Sequence, residues 1–186
     1  MTEKIKITDT SPSLIGDEIY LRPATEKDIA NTFHWFLQCE LQSRSCRPVP
    51  FRTAVDAAEA YKRKEKSPDE QRFMVVRIKD KTPVGVINFF HLNNLNRSVE
   101  FGLLIDPDEQ KKGYATEAVR ILCSYMYNYR GLNKIYAQTS GFNKAAVKLL
   151  ETTGFKRDAV LRQHYYFKGE FFDGYIYSLL RFEFDW

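Results

Sequence analysis

The chain has 186 residues, enough for one domain with a substantial core, and its 44% hydrophobic and 28% charged residues are ordinary for a soluble globular protein. No apolar run approaches a membrane span, no basic-then-apolar leader opens the sequence, and the cysteines (Cys39, Cys46, Cys123) show neither metal-ligand spacing nor the even count of a disulfide framework. The cytoplasm is therefore the expected compartment, with no metal and no membrane partner. A net charge of +4 suits an anionic small molecule, and without a continuous basic stripe it gives no reason to expect nucleic acid.

Residues 1–17 are polar and read as a loose N-terminal arm, leaving residues 18–186 as the domain. Residues 18–23 read as a strand. Thr25-Glu26-Lys27-Asp28 resembles a capped helix start, opening a helix that carries Ile29, Phe33, Trp35, Phe36 and Leu37. Residues 43–52 hold prolines without periodicity and read as a loop; Thr53 then caps a second helix with Ala54, Ala57, Ala58 and Tyr61 on one side. Two strands, 73–76 and 84–91, flank a turn at 79–83, and a turn at Asn93-Asn94 leads into an apolar strand over 99–105. A helix over 114–129 ends near Gly131, a fitting C-terminal stop. A short strand at 135–139, a helix over 144–153 stopped by Gly154, and a hairpin of strands 155–167 and 171–184 turning at Lys168-Gly169 complete the chain. That order implies one mixed sheet with helices on both faces.

Between strand 99–105 and helix 114–129 lies Gln110-Lys111-Lys112-Gly113-Tyr114-Ala115-Thr116-Glu117. A strand, a small-residue turn and a helix start make an anion site. The first helical N–H groups have no intrahelical partner, and the macrodipole adds partial positive charge there. Gly113 can take a turn geometry barred to other residues, the small Ala115 lets a phosphate near the backbone, and Lys111 and Lys112 add charge. The segment lacks the Gly-Lys-Ser/Thr ending of a nucleotide P-loop and the three glycines of a dinucleotide fingerprint. Taken alone, Gln-x-x-Gly-x-Ala also describes a polar turn before a surface helix.

The stretch Lys111 to Ala118 resembles the acetyl-CoA pyrophosphate loop of the GNAT superfamily of N-acetyltransferases, in the spelling of its RimJ/RimL-type branch. Tyr20-Leu21-Arg22-Pro23, Pro83-Val84-Gly85, the segment from Asn143 to Gly154-Phe155, and Gly169-Glu170 with Asp173 to Leu180 resemble that branch as well. The resemblance implies an α/β fold: a single GNAT-like domain with a mixed, mostly antiparallel sheet of about seven strands and about four helices. It also implies that two central parallel strands, 99–105 and 135–139, splay apart to admit the pantetheine arm. The implied activity is transfer of an acetyl group from acetyl-CoA, as co-substrate, to a primary amine by direct attack in a ternary complex. The acceptor is left open between a protein or peptide N-terminus and a small amine. The other reading is a CoA-binding sensor or scaffold module without catalysis. A homodimer is compatible with the branch, with Phe182, Phe184 and Trp186 on the last strand able to pair across an interface.

By that resemblance, backbone groups of Leu103, Leu104 and Ile105 pair with the pantetheine, and amides from Gln110 to Thr116 take the pyrophosphate. Asn143 matches a position that contacts the cofactor arm, though Asn is also a favoured N-cap, and the two roles can coexist. Glu100 shares a strand face with Gly102 and Leu104 and is the candidate base for the amine; its plain alternative is an ion pair with an arginine. Two usual donors to the leaving thiolate are replaced by Ala146 and Leu150, which leaves Thr139, Ser140 and Tyr165 unranked. His34, His91 and His164 are scattered and suggest no metal; His91, in the central hairpin strand, reads as a structural histidine ahead of one that faces the substrate. Cys123 reads as core, and Tyr165, Tyr166 and Tyr175 as pocket lining or sheet packing.

Overall fold

The computed structural model describes residues 14–37, 53–64 and 68–185; Cys39, Cys46, the loop read over 43–52 and Trp186 lie outside the described residues. The elements follow in order: β1 (Ile19–Pro23), α1 (Glu26–Thr32), a 3-10 turn (Phe33–Phe36), α2 (Ala54–Lys64), β2 (Gln71–Arg77), β3 (Pro83–Asn93), β4 (Ser98–Ile105), a 3-10 turn (Pro107–Glu109), α3 (Tyr114–Asn128), β5 (Lys134–Ser140), α4 (Lys144–Thr152), β6 (Lys156–Phe167), β7 (Glu170–Leu180) and a last 3-10 turn (Arg181–Glu183). The α/β fold is the one expected. Seven strands form one sheet in the order β1-β2-β3-β4-β5-β7-β6. Every neighbouring pair is antiparallel except β4 with β5, which α3 joins as a parallel crossover.

Strand alternation sorts the side chains into two cores. On one face Val99, Phe101 and Ile105 of β4, Ile135 and Ala137 of β5, and Tyr177 and Leu179 of β7 pack under α3 (Ala118, Ile121, Leu122, Met126) and Leu150 of α4. The other face is smaller: Met74, Val76 and Val86 meet Ile29 of α1, Ala57 of α2, and Phe33 and Trp35 of the 3-10 turn, with Leu104 at its edge. Each large apolar side chain fully buried in this way contributes roughly 1.5–3 kcal/mol. Leu14, within the segment read as a loose arm, is buried against the larger core.

Two elements are shorter than the sequence pattern suggests. The first helix ends at Thr32, whose hydroxyl donates to the Asp28 carbonyl at 2.8 Å, and the tighter 3-10 turn that follows sends Phe33 and Trp35 inward. The last strand ends at Leu180, whose N–H donates to the Glu183 carboxylate at 3.0 Å and turns the chain away from the sheet.

Two features position the site. The β4–β5 ladder has only three residue pairs, Ser98↔Lys134, Val99↔Ile135 and Glu100↔Tyr136. Beyond them β4 runs on to Ile105 beside β3, and β5 to Ser140 beside β7, so the two strands part at Glu100. The second feature is a bulge in β3. Phe90 pairs with Glu100 and Asn93 with Ser98, so β3 carries one residue more than its partner, and His91 sits there at φ 55.

Candidate active site

The loop from β4 to α3 is held from both sides. Gln110 Nε2 donates to the Ile105 carbonyl at 3.2 Å, tying the loop back to the strand end. Glu109 accepts from Arg77 Nη1 and from Lys112 Nζ, each at 2.8 Å. The hydrogen bond from Lys112 first, joined by that from Arg77, outweighs burial and keeps the Glu109 carboxyl below its ordinary range. Lys112 is thus turned onto Glu109, while Lys111 is exposed at φ 64.

Gly113 is the N-cap of α3 at φ 88, left-handed backbone that an L residue enters only at a cost of about 1–2 kcal/mol. A Cβ placed on it would meet nothing within 4 Å, so conformation rather than crowding selects glycine. Gly113 offers no side-chain cap, and the N–H groups of Tyr114, Ala115 and Thr116 have no acceptor inside the helix. Tyr114 is buried in the larger core and Ala115 packs against its edge, which anchors the helix start. Glu117 looks the other way: its carboxylate accepts the Glu18 N–H at 2.9 Å and binds α3 to β1.

Glu100 stands where β4 and β5 part. Its side chain is 15% exposed, and its Oε2 lies 3.0 Å from His91 Nδ1, so among the described residues its partner is a histidine and not an arginine. Across β5, Tyr136 pairs with Glu100 in register; burial first, and then the Glu100 charge, raise its phenol above the ordinary value. Gly102, next on this face, faces Asn88 and Phe90 and lies beyond the last β4–β5 pair. Leu103 and Leu104 point to opposite cores, and both they and Ile105 lie beyond the last β4–β5 pair.

Asn143 is the N-cap of α4, accepting the Ala146 N–H at 3.2 Å. Ala146 sits in the first turn of α4, and Leu150 is buried in the core, so neither supplies a proton. Thr139 and Ser140 are both buried, and the Ser140 hydroxyl has no hydrogen-bond partner among the described residues. Tyr165 lies on β6, edge-on to His164 with ring centroids 4.7 Å apart. Cys123 is a fully buried free thiol whose ionisation is pushed far up by burial, as befits a core residue. His91 is the ring that the β3 bulge brings to Glu100, a contact the sequence reading did not anticipate. Its only signal there was a polar residue near the end of a strand whose alternation the bulge breaks.

This arrangement suits a thioester carrier with a pyrophosphate: a strand edge released from its ladder, followed at once by an uncapped helix start. The acetyltransferase (GNAT) domain family matches residues 18–156, and the chain belongs to that family. It is an N-acetyltransferase with acetyl-CoA as co-substrate. Over 176 residues it is 28% identical to the uncharacterized N-acetyltransferase YoaA of Bacillus subtilis (strain 168), covering 91% of this chain and 97% of that one. Over 124 residues it is 29% identical to the spermidine N(1)-acetyltransferase of Vibrio cholerae, covering 67% and 71%. Among solved structures, spermidine N-acetyltransferase from Vibrio cholerae in complex with CoA and spermine shares the fold with a TM-score of 0.84 at 24% identity, over 90% of this chain and 98% of that one.

Proposed function

We propose that the chain acetylates a primary amine, a small amine or a protein or peptide N-terminus, by direct attack on acetyl-CoA in a ternary complex. The observation that carries this reading is the placement of the Glu100 carboxylate at the point where β4 and β5 separate, one strand end away from the uncapped start of α3. An amine is protonated at neutral pH, and the nitrogen that attacks must lose a proton; Glu100 drives that loss, directly or through an intervening group. Acetyl-CoA, when bound, supplies the activated acetyl carbon. The residues of this chain hold it: amides from Gln110 to Thr116 at the pyrophosphate, backbone of Leu103, Leu104 and Ile105 along the pantetheine, and the Asn143 side chain at the arm. With Ala146 and Leu150 unable to donate, the thiolate leaves with little cost of its own, since a thiol ionises near 8.5.

The spelling from Lys111 to Ala118 supports a place in the RimJ/RimL-type branch, and the cytoplasm is the proposed compartment on composition alone. Spermidine is the acceptor to try first, because relatives carry that name. A homodimer is the proposed assembly; a related spermidine N-acetyltransferase is dodecameric, and sedimentation velocity distinguishes the states.

The test is thiol release from acetyl-CoA over a panel of primary amines, comparing the wild type with Glu100→Gln from pH 6 to 9. Turnover should fall roughly a hundredfold or more in the variant. Equal turnover at every pH removes Glu100 from the mechanism. Acetyl-CoA binding without turnover on any amine would instead favour the sensor reading.

A further inference from the structure

Resting on the reading of Glu100 just given, we infer that His91 is the general base that meets the amine, and that Glu100 acts through it as the orienting carboxylate. The bulge in β3 carries the argument. Ordinary alternation would send His91 to the face opposite Phe90. Phe89 and Leu92 both lie in the larger core, so the extra residue has slipped two consecutive side chains, Phe90 and His91, onto the Glu100 face. Of the non-glycine residues at positive φ, Lys81, Arg97 and Lys168 belong to turns between strands and Lys111 to the loop before α3. His91 and Gln163 are the two inside strands, each at a bulge. Strain held inside a strand, with a titratable ring as its result, points to use.

The ring is oriented on two sides. Phe90 packs edge-on against it with centroids 5.0 Å apart, and Glu100 Oε2 lies 3.0 Å from Nδ1. A carboxylate can only accept, so the neutral ring carries its hydrogen on Nδ1 and leaves Nε2 with a free lone pair. Among the described residues Nε2 has no hydrogen-bond partner, and the His91 side chain is 71% exposed against 15% for Glu100. The imidazole therefore stands between the covered carboxylate and whatever enters from solvent. The other charged or titratable groups on this face include Arg22 of β1, paired with Asp28 of α1, Arg72 of β2, which lies over the Tyr61 ring of α2, Tyr136 of β5, the Lys134–Asp158 pair of β5 and β6, and His164 of β6 beside Gln138 of β5.

The step balances. The amine nitrogen bonds to the thioester carbonyl carbon, the C–S bond breaks with its electrons on sulfur, and the nitrogen's proton passes to His91 Nε2. The resulting imidazolium is stabilised by Glu100 and returns a proton to solvent, while the thiolate takes one up from solvent. For an acceptor arriving as ammonium, the same nitrogen removes the first proton before attack. The arrangement divides labour between base and orienting carboxylate as a serine hydrolase does between its histidine and aspartate.

The test uses His91→Asn and His91→Gly with the amine that gives turnover. Asparagine tolerates the left-handed backbone and can still donate to Glu100, yet it has no base; glycine relieves the strain and leaves room for a free imidazole. Both variants should keep the wild-type melting temperature and acetyl-CoA affinity while kcat falls roughly a hundredfold. Added imidazole should restore turnover in His91→Gly and not in His91→Asn. Adding Glu100→Gln to His91→Asn should lower kcat little further, as for residues that act as a unit. If His91→Asn turns over like the wild type while Glu100→Gln does not, the inference fails and Glu100 remains the base. If neither variant changes turnover, both readings fail. A loss in His91→Gly that imidazole does not relieve overturns the base assignment for His91.

Discussion

The four helices among the described residues begin in two different ways. α1 starts with a reciprocal box: Thr25 Oγ1 accepts the Asp28 N–H at 3.2 Å, and Asp28 accepts the Thr25 N–H at 2.8 Å. α2 repeats it with Thr53 and Asp56, and α4 uses Asn143. α3 starts on a left-handed glycine with no side-chain cap. The capped starts satisfy their orphan N–H groups from within the chain and so gain stability. The uncapped start leaves that capacity to a ligand, and the buried Tyr114 and the Glu117–Glu18 tie supply the anchoring a cap would have given. A helix start can thus serve the fold or be left for a ligand, and the proposed reading gives the start of α3 to the cofactor.

The largest effect expected from testing that division is at Gly113. Gly113→Asp places a carboxylate and about 1–2 kcal/mol of backbone strain at the uncapped start, and acetyl-CoA affinity by calorimetry should fall by about a hundredfold or more. Gly113→Ala, with the strain alone, should fall between the two; wild-type affinity in Gly113→Asp would show that α3 does not hold the pyrophosphate.

At the α1 start, burial tends to raise the Asp28 carboxyl, but hydrogen bonds from Arg22 (2.6 and 2.7 Å) and Thr25 outweigh it and hold the carboxyl below its ordinary value. A depressed carboxylate stabilises the fold above its unfolded value, near 3.9, and loses that contribution as pH falls through the folded value. Asp28→Asn should therefore cost about 2 kcal/mol in urea unfolding at neutral pH. The gap from the wild type should narrow below about pH 4. A gap independent of pH would mean that the charge of Asp28 is not what holds this corner.

Next in size is α4. Asn143→Ala should lower stability by about 1 kcal/mol, and Asn143→Ser, which keeps a capping oxygen, should recover most of it. A weakening of acetyl-CoA binding that persists in Asn143→Ser would isolate the proposed contact with the cofactor arm from the cap. The smallest change is expected at Lys112, whose half-exposed side chain pairs with Glu109. Lys112→Ala should move stability by less than about 0.5 kcal/mol. A loss well beyond that in thermal unfolding would show the Arg77–Glu109–Lys112 group bracing the loop.

Much of this molecule was legible because its signals are local. The Thr25–Asp28 spacing, the stop at Gly131, the Lys168-Gly169 turn and the alternation of Val99 to Ile105 each depend on residues within a few positions of one another. Glu100 could be placed on a face with Gly102 for the same reason. The second partner of a carboxylate, by contrast, lies on another strand. His91 is nine positions away across a hairpin, and the bulge that turns it towards Glu100 depends on how β3 and β4 come into register.

What the sequence determined by itself was the set of elements, the two faces of the central strands and the uncapped, glycine-led start of α3, because backbone preference and side-chain period act over short range. The tertiary structure decided where β4 and β5 part and which ring faces Glu100. The three-pair β4–β5 ladder reflects the competing pull of β3 on one strand and β7 on the other, and the place of His91 reflects one residue of mismatch between paired strands. Both are sums over long-range pairings that no short window of residues contains.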